Sequence, residues 1–242
     1  MCELLLFCMS SCRKMSFLRP VLYGSWSSSC TWRVRCALHH KRIEFDVQPM
    51  AKDDLRSAEF QRLNPFGQIP IFIHGKNILT ESLAIMDFLE DEYPSTQKLY
   101  PKDHFEKAVV KSLALNIISG IQPLHSGRFL NATNEIDREQ WQREFLQRAF
   151  TALESRLKTT SGRFCVGDEI TVADCCLQPQ AFKAAKLIDI TDFPTIQQID
   201  ETLARIPAFQ RSHPFVQLDA PDEVRRVNEV NHLPRTGYAI VN

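Results

Sequence analysis

Apolar positions along the first third of the chain switch between a period of two and a period near 3.6, and those switches mark its elements. Val21-Leu22-Tyr23, closed by Gly24 and a Ser-rich turn, predicts a first strand. A helix should follow from about Ser29 to His40, with Trp32, Cys36 and Ala37 on its apolar side and Arg33 and Lys41 facing outward. Ile43-Glu44-Phe45-Asp46-Val47 alternates as a half-buried strand does. Asp53 through Leu63 predicts a second helix, ended by Asn64-Pro65-Phe66-Gly67. A hairpin is expected next, Ile69 to Ile73 and Ile78-Leu79 around a turn at 74–77, with Pro70 at a strand start or edge where a cis bond is a natural choice. Ser82 to Glu92 reads as a third helix, so the order βαβ-α-ββα is complete by Tyr93.

Prolines 94 and 101 then interrupt all periodicity, and only helical patterns follow. The reading is therefore an α/β domain over residues 19–93, a linker at 94–101 and an all-α domain over 102–213. Lys102 to Leu130 is a long helical stretch loosened at Gly120 and Pro123. Asp137 to Lys158 is a second, with Phe145, Ala149, Leu153 and Leu157 on one face. Thr171-Val172-Ala173-Asp174 has capping-box spacing and should open a buried helix to about Lys186, with another near Thr195 to Arg205. Residues 214–242 read as a polar, largely irregular tail, and residues 1–18 as a disordered extension with Met15 as an alternative start.

Composition narrows the function classes. Lys plus Arg equals Asp plus Glu at 29 each, which leaves no net field for nucleic acid. The apolar run Leu4 to Met9 is short, follows Glu3 and lacks a basic leader, so it is not a signal peptide, and no stretch reaches the roughly twenty apolar residues of a membrane helix. Eight cysteines without paired CxxC spacing point to a reducing compartment and against zinc.

Candidate chemistry concentrates in two places. Ser27-Ser28-Ser29-Cys30-Thr31-Trp32-Arg33-Val34-Arg35 sits where the first strand hands over to the first helix. Unpaired N–H groups and the dipole favour negative charge there, so serines can donate to a bound thiolate, although capping alone would explain one of them. Glu81-Ser82 opens the third helix just after the hairpin, where a hydroxyl and N–H groups suit a carboxylate and Glu81 suits an ammonium; an ordinary cap is the plainer alternative. The histidines fall in helix ends or turns, and Cys175 and Cys176 read as small core residues.

Ser28-Ser29-Cys30-Thr31-Trp32-Arg33-Val34-Arg35 resembles the motif of zeta-class glutathione transferases, the maleylacetoacetate isomerases. The resemblance extends through Asn64-Pro65, Gln68-Ile69-Pro70, Glu81-Ser82-Leu83-Ala84-Ile85, Gly120 to Leu124 and Cys165 to Asp174, covering roughly residues 19–218. It implies a glutathione transferase fold, a thioredoxin-like α/β domain followed by the helical one, with glutathione as cofactor. It implies isomerisation of maleylacetoacetate to fumarylacetoacetate in phenylalanine and tyrosine breakdown, transferase activity on small α-halo acids, a homodimer and a cytoplasmic enzyme, with mitochondrial targeting as an alternative.

By the same resemblance Ser28, Ser29 and Cys30 are the catalytic group, Ser28 being the thiolate donor. Glutathione contacts are expected from those three with Thr31, Trp32, Arg33, Ile69, Glu81 and Ser82, and from Gln122, Ser126, Gly127 and Arg128 across the domain boundary. Two departures stand out. Glu81 replaces a glutamine frequent in the family, and the arginine that binds substrate carboxylate after the Pro-Gln pair is missing, leaving Lys183 and Lys186 after Pro179-Gln180. Arg33, Arg128 and Lys186 are the candidates for that carboxylate. Two other readings stay open: a thiol transferase using Cys30, and a glutathione-binding scaffold without catalysis.

Overall fold

The computed structural model describes residues 19–124 and 137–231, so the expected extension at 1–18 and part of the tail lie outside it. Four strands, β1 (Val21–Gly24), β2 (Asp46–Pro49), β3 (Ile71–His74) and β4 (Asn77–Thr80), form one sheet in the order β2-β1-β3-β4. β1 pairs parallel with β2, while β1 with β3 and β3 with β4 pair antiparallel. β2 starts three residues later than the alternation predicts. Ile43 and Phe45 turn into the core instead, Phe45 edge-on to His39 at 5.2 Å, and the chain joins β1 only where the Asp46 N–H reaches the Pro20 carbonyl at 2.9 Å.

Helix α1 (Ser29–His40) is buried along nearly its whole length, because it lies between α3 (Ser82–Glu92) on one side and two helices of the C-terminal half, α6 (Val172–Ala184) and α8 (Pro207–Ser212), on the other. That overturns the expectation that Arg33 and Lys41 face water: both are 1% exposed. A buried cation needs partners, and the Lys41 Nζ finds the Glu90 carboxylate at 2.9 Å and the Gln97 carbonyl at 3.0 Å. The predicted second helix splits into a 3-10 turn at Asp54–Arg56 and α2 (Ala58–Leu63), because Ser57 takes an extended conformation and caps α2 by accepting the Phe60 N–H.

In the helical half, α4 (His104–Leu115) runs into a π-helical turn at Asn116–Ile121, followed by α5 (Arg138–Thr160), α6, α7 (Pro194–Ala204), α8 and α9 (Asp222–Asn231). Asp174, fully buried in the first turn of α6, accepts from Thr171 N–H, Thr171 O–H and Cys165 N–H within 2.9 Å. Burial still pushes its carboxyl above the ordinary value. The tail departs from its predicted irregularity. Pro214–Val216 forms a 3-10 turn, Ala220 is 4% exposed, and α9 follows, since Pro214 and Ala220 bury small apolar groups that the composition of the segment conceals. Among the described residues no helix is long and apolar enough to cross a membrane.

Candidate active site

The site forms where β1 gives way to α1. Ser28 is the N-cap: extended (φ −74°, ψ 117°), with its Oγ accepting the Thr31 N–H at 3.2 Å. One lone pair is therefore committed to the cap, and the hydroxyl proton is left to donate outward. Ser29 is 2% exposed and its Oγ has no protein partner, an orphaned donor at the same helix start.

Behind the serines runs a chain of side-chain hydrogen bonds. Arg33 Nη1 donates to Ser82 Oγ at 3.2 Å, its Nη2 donates to Gln122 Oε1, and Gln122 Nε2 donates to Cys30 Sγ at 3.0 Å. The widened π turn after α4 delivers Gln122 to this place, so one guanidinium ties the start of α3 to the helical half. Ser82 accepts from Arg33 and keeps its own proton for a ligand, at the N-terminus of α3. Glu81 before it is exposed and left-handed (φ 65°), makes no side-chain cap, and holds a backbone conformation rare for a non-glycine residue. Ile69 is half-buried and the Ile69-Pro70 bond is cis, while Asn64 braces the preceding loop by donating to the Gln68 carbonyl at 2.7 Å.

Not every candidate reaches the site. Thr31 and Trp32 are 0% and 2% exposed and do not line it. Each helical residue rotates about 100°, so the two positions after Cys30 turn inward: Thr31 against Gly24, and Trp32 edge-on to Phe182 at 5.3 Å and to His213 at 5.1 Å. Arg33 is 1% exposed, and its two terminal nitrogens each hold one protein acceptor while its Nε has none in the structure. Ser126, Gly127 and Arg128 lie outside the described residues.

Of the two lysines, Lys186 is exposed, its ammonium over the Phe182 ring at 5.4 Å. Lys183 is the one the sequence reading left unassigned. It is half-buried, two turns along α6 from Cys176, and desolvation by burial holds its ammonium below its ordinary pKa, with Cys30 opposing that and Lys186 and Arg33 adding to it. Cys176 on the same helix face senses Arg33 and Cys30 too, and burial pushes its thiol up to about 11. Among the described residues Lys183 has no carboxylate partner within salt-bridge distance. The spacing of 176 and 183 was the signal available in the sequence; the facing α1 was not.

The arrangement fits a tripeptide thiol: the Ser28 hydroxyl at one helix start, a hydroxyl and an acidic residue of positive φ at another, and a half-buried cation within electrostatic range of Cys30. Family comparison agrees. The glutathione S-transferase N-terminal domain matches residues 27–92 and the glutathione S-transferase C-terminal domain matches residues 125–211, which defines the class as a glutathione transferase. Maleylacetoacetate isomerase of Mus musculus is 39% identical over 212 residues, covering 86% of this chain and 98% of its own.

A bacterial zeta-class maleylpyruvate isomerase superposes with a TM-score of 0.78 at 30% identity, covering 83% of this chain and all of that one. Maleylacetoacetate isomerase from Anaeromyxobacter dehalogenans, solved with glutathione in its active site, gives 0.75 at 34% identity over 84% of this chain and 98% of that one. The same enzyme has been solved with dicarboxyethyl glutathione and citrate in the active site. The chain belongs to the glutathione transferase family.

Proposed function

We propose that this protein is a glutathione-dependent cis-trans isomerase of maleylacetoacetate-like acids, forming fumarylacetoacetate in phenylalanine and tyrosine breakdown. Transferase activity on small α-halo acids, zeta-class membership, a cytoplasmic location and a homodimer belong to the same reading. One observation carries it: the Ser28 hydroxyl, fixed by the Thr31 N–H, keeps its proton free at the positive end of α1.

Bound glutathione supplies the thiol whose ionised form adds to the cis double bond and departs once the bond has rotated. This chain's residues make that ionisation favourable at neutral pH. Ser28, with Ser29 and the α1 N-terminus, stabilises negative sulfur. Ser82 and the α3 N–H groups receive a carboxylate, and Glu81 an ammonium. Gln122 holds Cys30 beside the reacting sulfur rather than presenting it as a first attacking group. Lys183, in place of the Lys186 expected from sequence, faces the same thiol edge as the carboxylate partner of an acidic substrate.

The test is glutathione-dependent isomerisation of maleylacetone by the purified chain, with Ser28→Ala and Cys30→Ala variants and a disulfide-exchange control. Ser28→Ala should lower kcat by roughly 10²-fold, the scale for losing one preorganised donor to a developing anion. Cys30→Ala should keep most of the turnover. No isomerisation, with rapid Cys30-dependent disulfide exchange, would replace this reading by the thiol transferase.

A further inference from the structure

The C-terminal segment reaches back to the loop that precedes Ser28. Asp219 Oδ2 accepts the Trp26 N–H at 2.7 Å, a contact between residues 193 apart in the chain. Arg35, 2% exposed, grips the same loop from its carbonyl side: Nη1 donates to the Ser25 oxygen at 3.3 Å and Nη2 to the Trp26 oxygen at 3.1 Å. Its Nε donates to the Ser212 carbonyl at 3.1 Å, at the end of α8. The Ser28 N–H in turn donates to the Ser25 carbonyl at 3.2 Å, so the carbonyl that Arg35 fixes also fixes the backbone of Ser28.

We propose that Asp219 is a positioning residue for the thiolate site, holding the 25–27 loop, and through it Ser28, in place from the far end of the chain. Three features support that role over an incidental surface contact. Pro214 and Ala220 are both buried and anchor the segment on either side of Asp219. The bond is charge-assisted and short, the class of hydrogen bond that best resists displacement by water. The carboxylate also lies within electrostatic range of Arg35, whose burial otherwise disfavours its charge and lowers its pKa to about 10. A carboxylate at 219 therefore steadies both halves of the grip. His213, His39 and Cys36 also sense Arg35, and burial holds all three neutral, lowering the two imidazoles and raising the thiol.

The inference rests on the proposed glutathione site, and its test separates the two. Glutathione alone is titrated on the enzyme by thiolate absorbance, and isomerisation kinetics are measured beside it, for wild type, Asp219→Ala, Asp219→Asn and Leu218→Ala. Asp219→Ala should raise the thiol midpoint by about one pH unit, a tenfold loss of thiolate stabilisation, with a matching fall in kcat. Asp219→Asn keeps an oxygen for the Trp26 N–H but loses the charge, and should recover part of both. Leu218 is 89% exposed, and its alanine variant should match wild type. If Asp219→Ala fails to fold, Asp219→Asn is read instead and should shift the midpoint in the same direction by a smaller amount. A wild-type midpoint and kcat in the folded alanine variant, or in the asparagine variant where alanine does not fold, overturns the proposal, whatever happens to Tm. Wild type that ionises glutathione without isomerising anything removes the reaction and leaves the variants' titration to decide this role; wild type that leaves the thiol at its free value overturns both.

Discussion

Ser28 uses one oxygen twice, as acceptor for the Thr31 N–H and as donor to the site, and only a hydroxyl at an N-cap can do both. The capping and functional readings of the serine cluster thus describe the same atom. Lys183 shows the opposite case, in which neighbours make the residue. A half-buried ammonium without a carboxylate partner among the described residues carries an uncompensated desolvation cost that an acidic ligand relieves. Lys183→Met is expected to raise KM for maleylacetone roughly tenfold with glutathione binding unchanged, and Lys186→Met to leave both near wild type, as steady-state kinetics would show. Equal effects from the two variants would return the role to Lys186.

Between elements, the contacts that set geometry are those a reading of periodicity passes over. β1 and α1 approach so closely at Gly24 that an added Cβ would lie 2.2 Å from the Thr31 Cγ2. Thr31 is fully buried and cannot move aside. Gly24→Ala should therefore cost about 1–3 kcal/mol of stability, measured by denaturant unfolding, and weaken glutathione binding because it displaces the start of α1.

Glu154 on α5 is a second such contact. Its carboxylate accepts the N–H groups of Thr195 and Ile196 at 3.0 Å each, capping α7 from another helix. Burial alone would raise its pKa, but those donors and Lys158 outweigh it and hold the carboxyl below its ordinary value. Its stabilisation is therefore present above about pH 4.5 and lost as pH falls through the lower folded value. Glu154→Ala should cost about 2 kcal/mol, a Tm loss of roughly 4–8 °C for a protein of this size by calorimetry.

At the scale of the molecule, the two halves meet through an aromatic cluster and a set of buried charges. His213 lies edge-on to Trp32 of α1, to Phe182 of α6 at 5.2 Å and to Phe215 at 4.9 Å. Burial, with Arg35 nearby, lowers its pKa to about 4, and burial does the same to His39. Both are neutral in the fold and would protonate near 6.5 once unfolded, so the unfolded chain binds more protons between those values. Stability is complete above about pH 6.5 and should fall as pH drops toward 4. Replacing His213 by Phe should flatten that slope in Tm against pH; an unchanged slope would assign the acid sensitivity elsewhere.

The order of strands and helices, the linker prolines, the capping box and the serine cluster were legible in the chain because each depends on local spacing, turn chemistry or a short motif. What the sequence could not disclose is which face of a helix meets protein when both faces do. Arg33 in α1 and Lys41 just after it read as outward-facing, and the fold buries both, Arg33 as a tie from α3 to the helical half and Lys41 as a tie to Glu90 of α3 and the Gln97 carbonyl. Trp32 and Thr31 turned inward, Lys183 came half-buried within electrostatic range of Cys30, and Asp219 crossed from the tail to Trp26 for the same reason. Contacts between residues distant in the chain leave no period in it, and packing alone decides them.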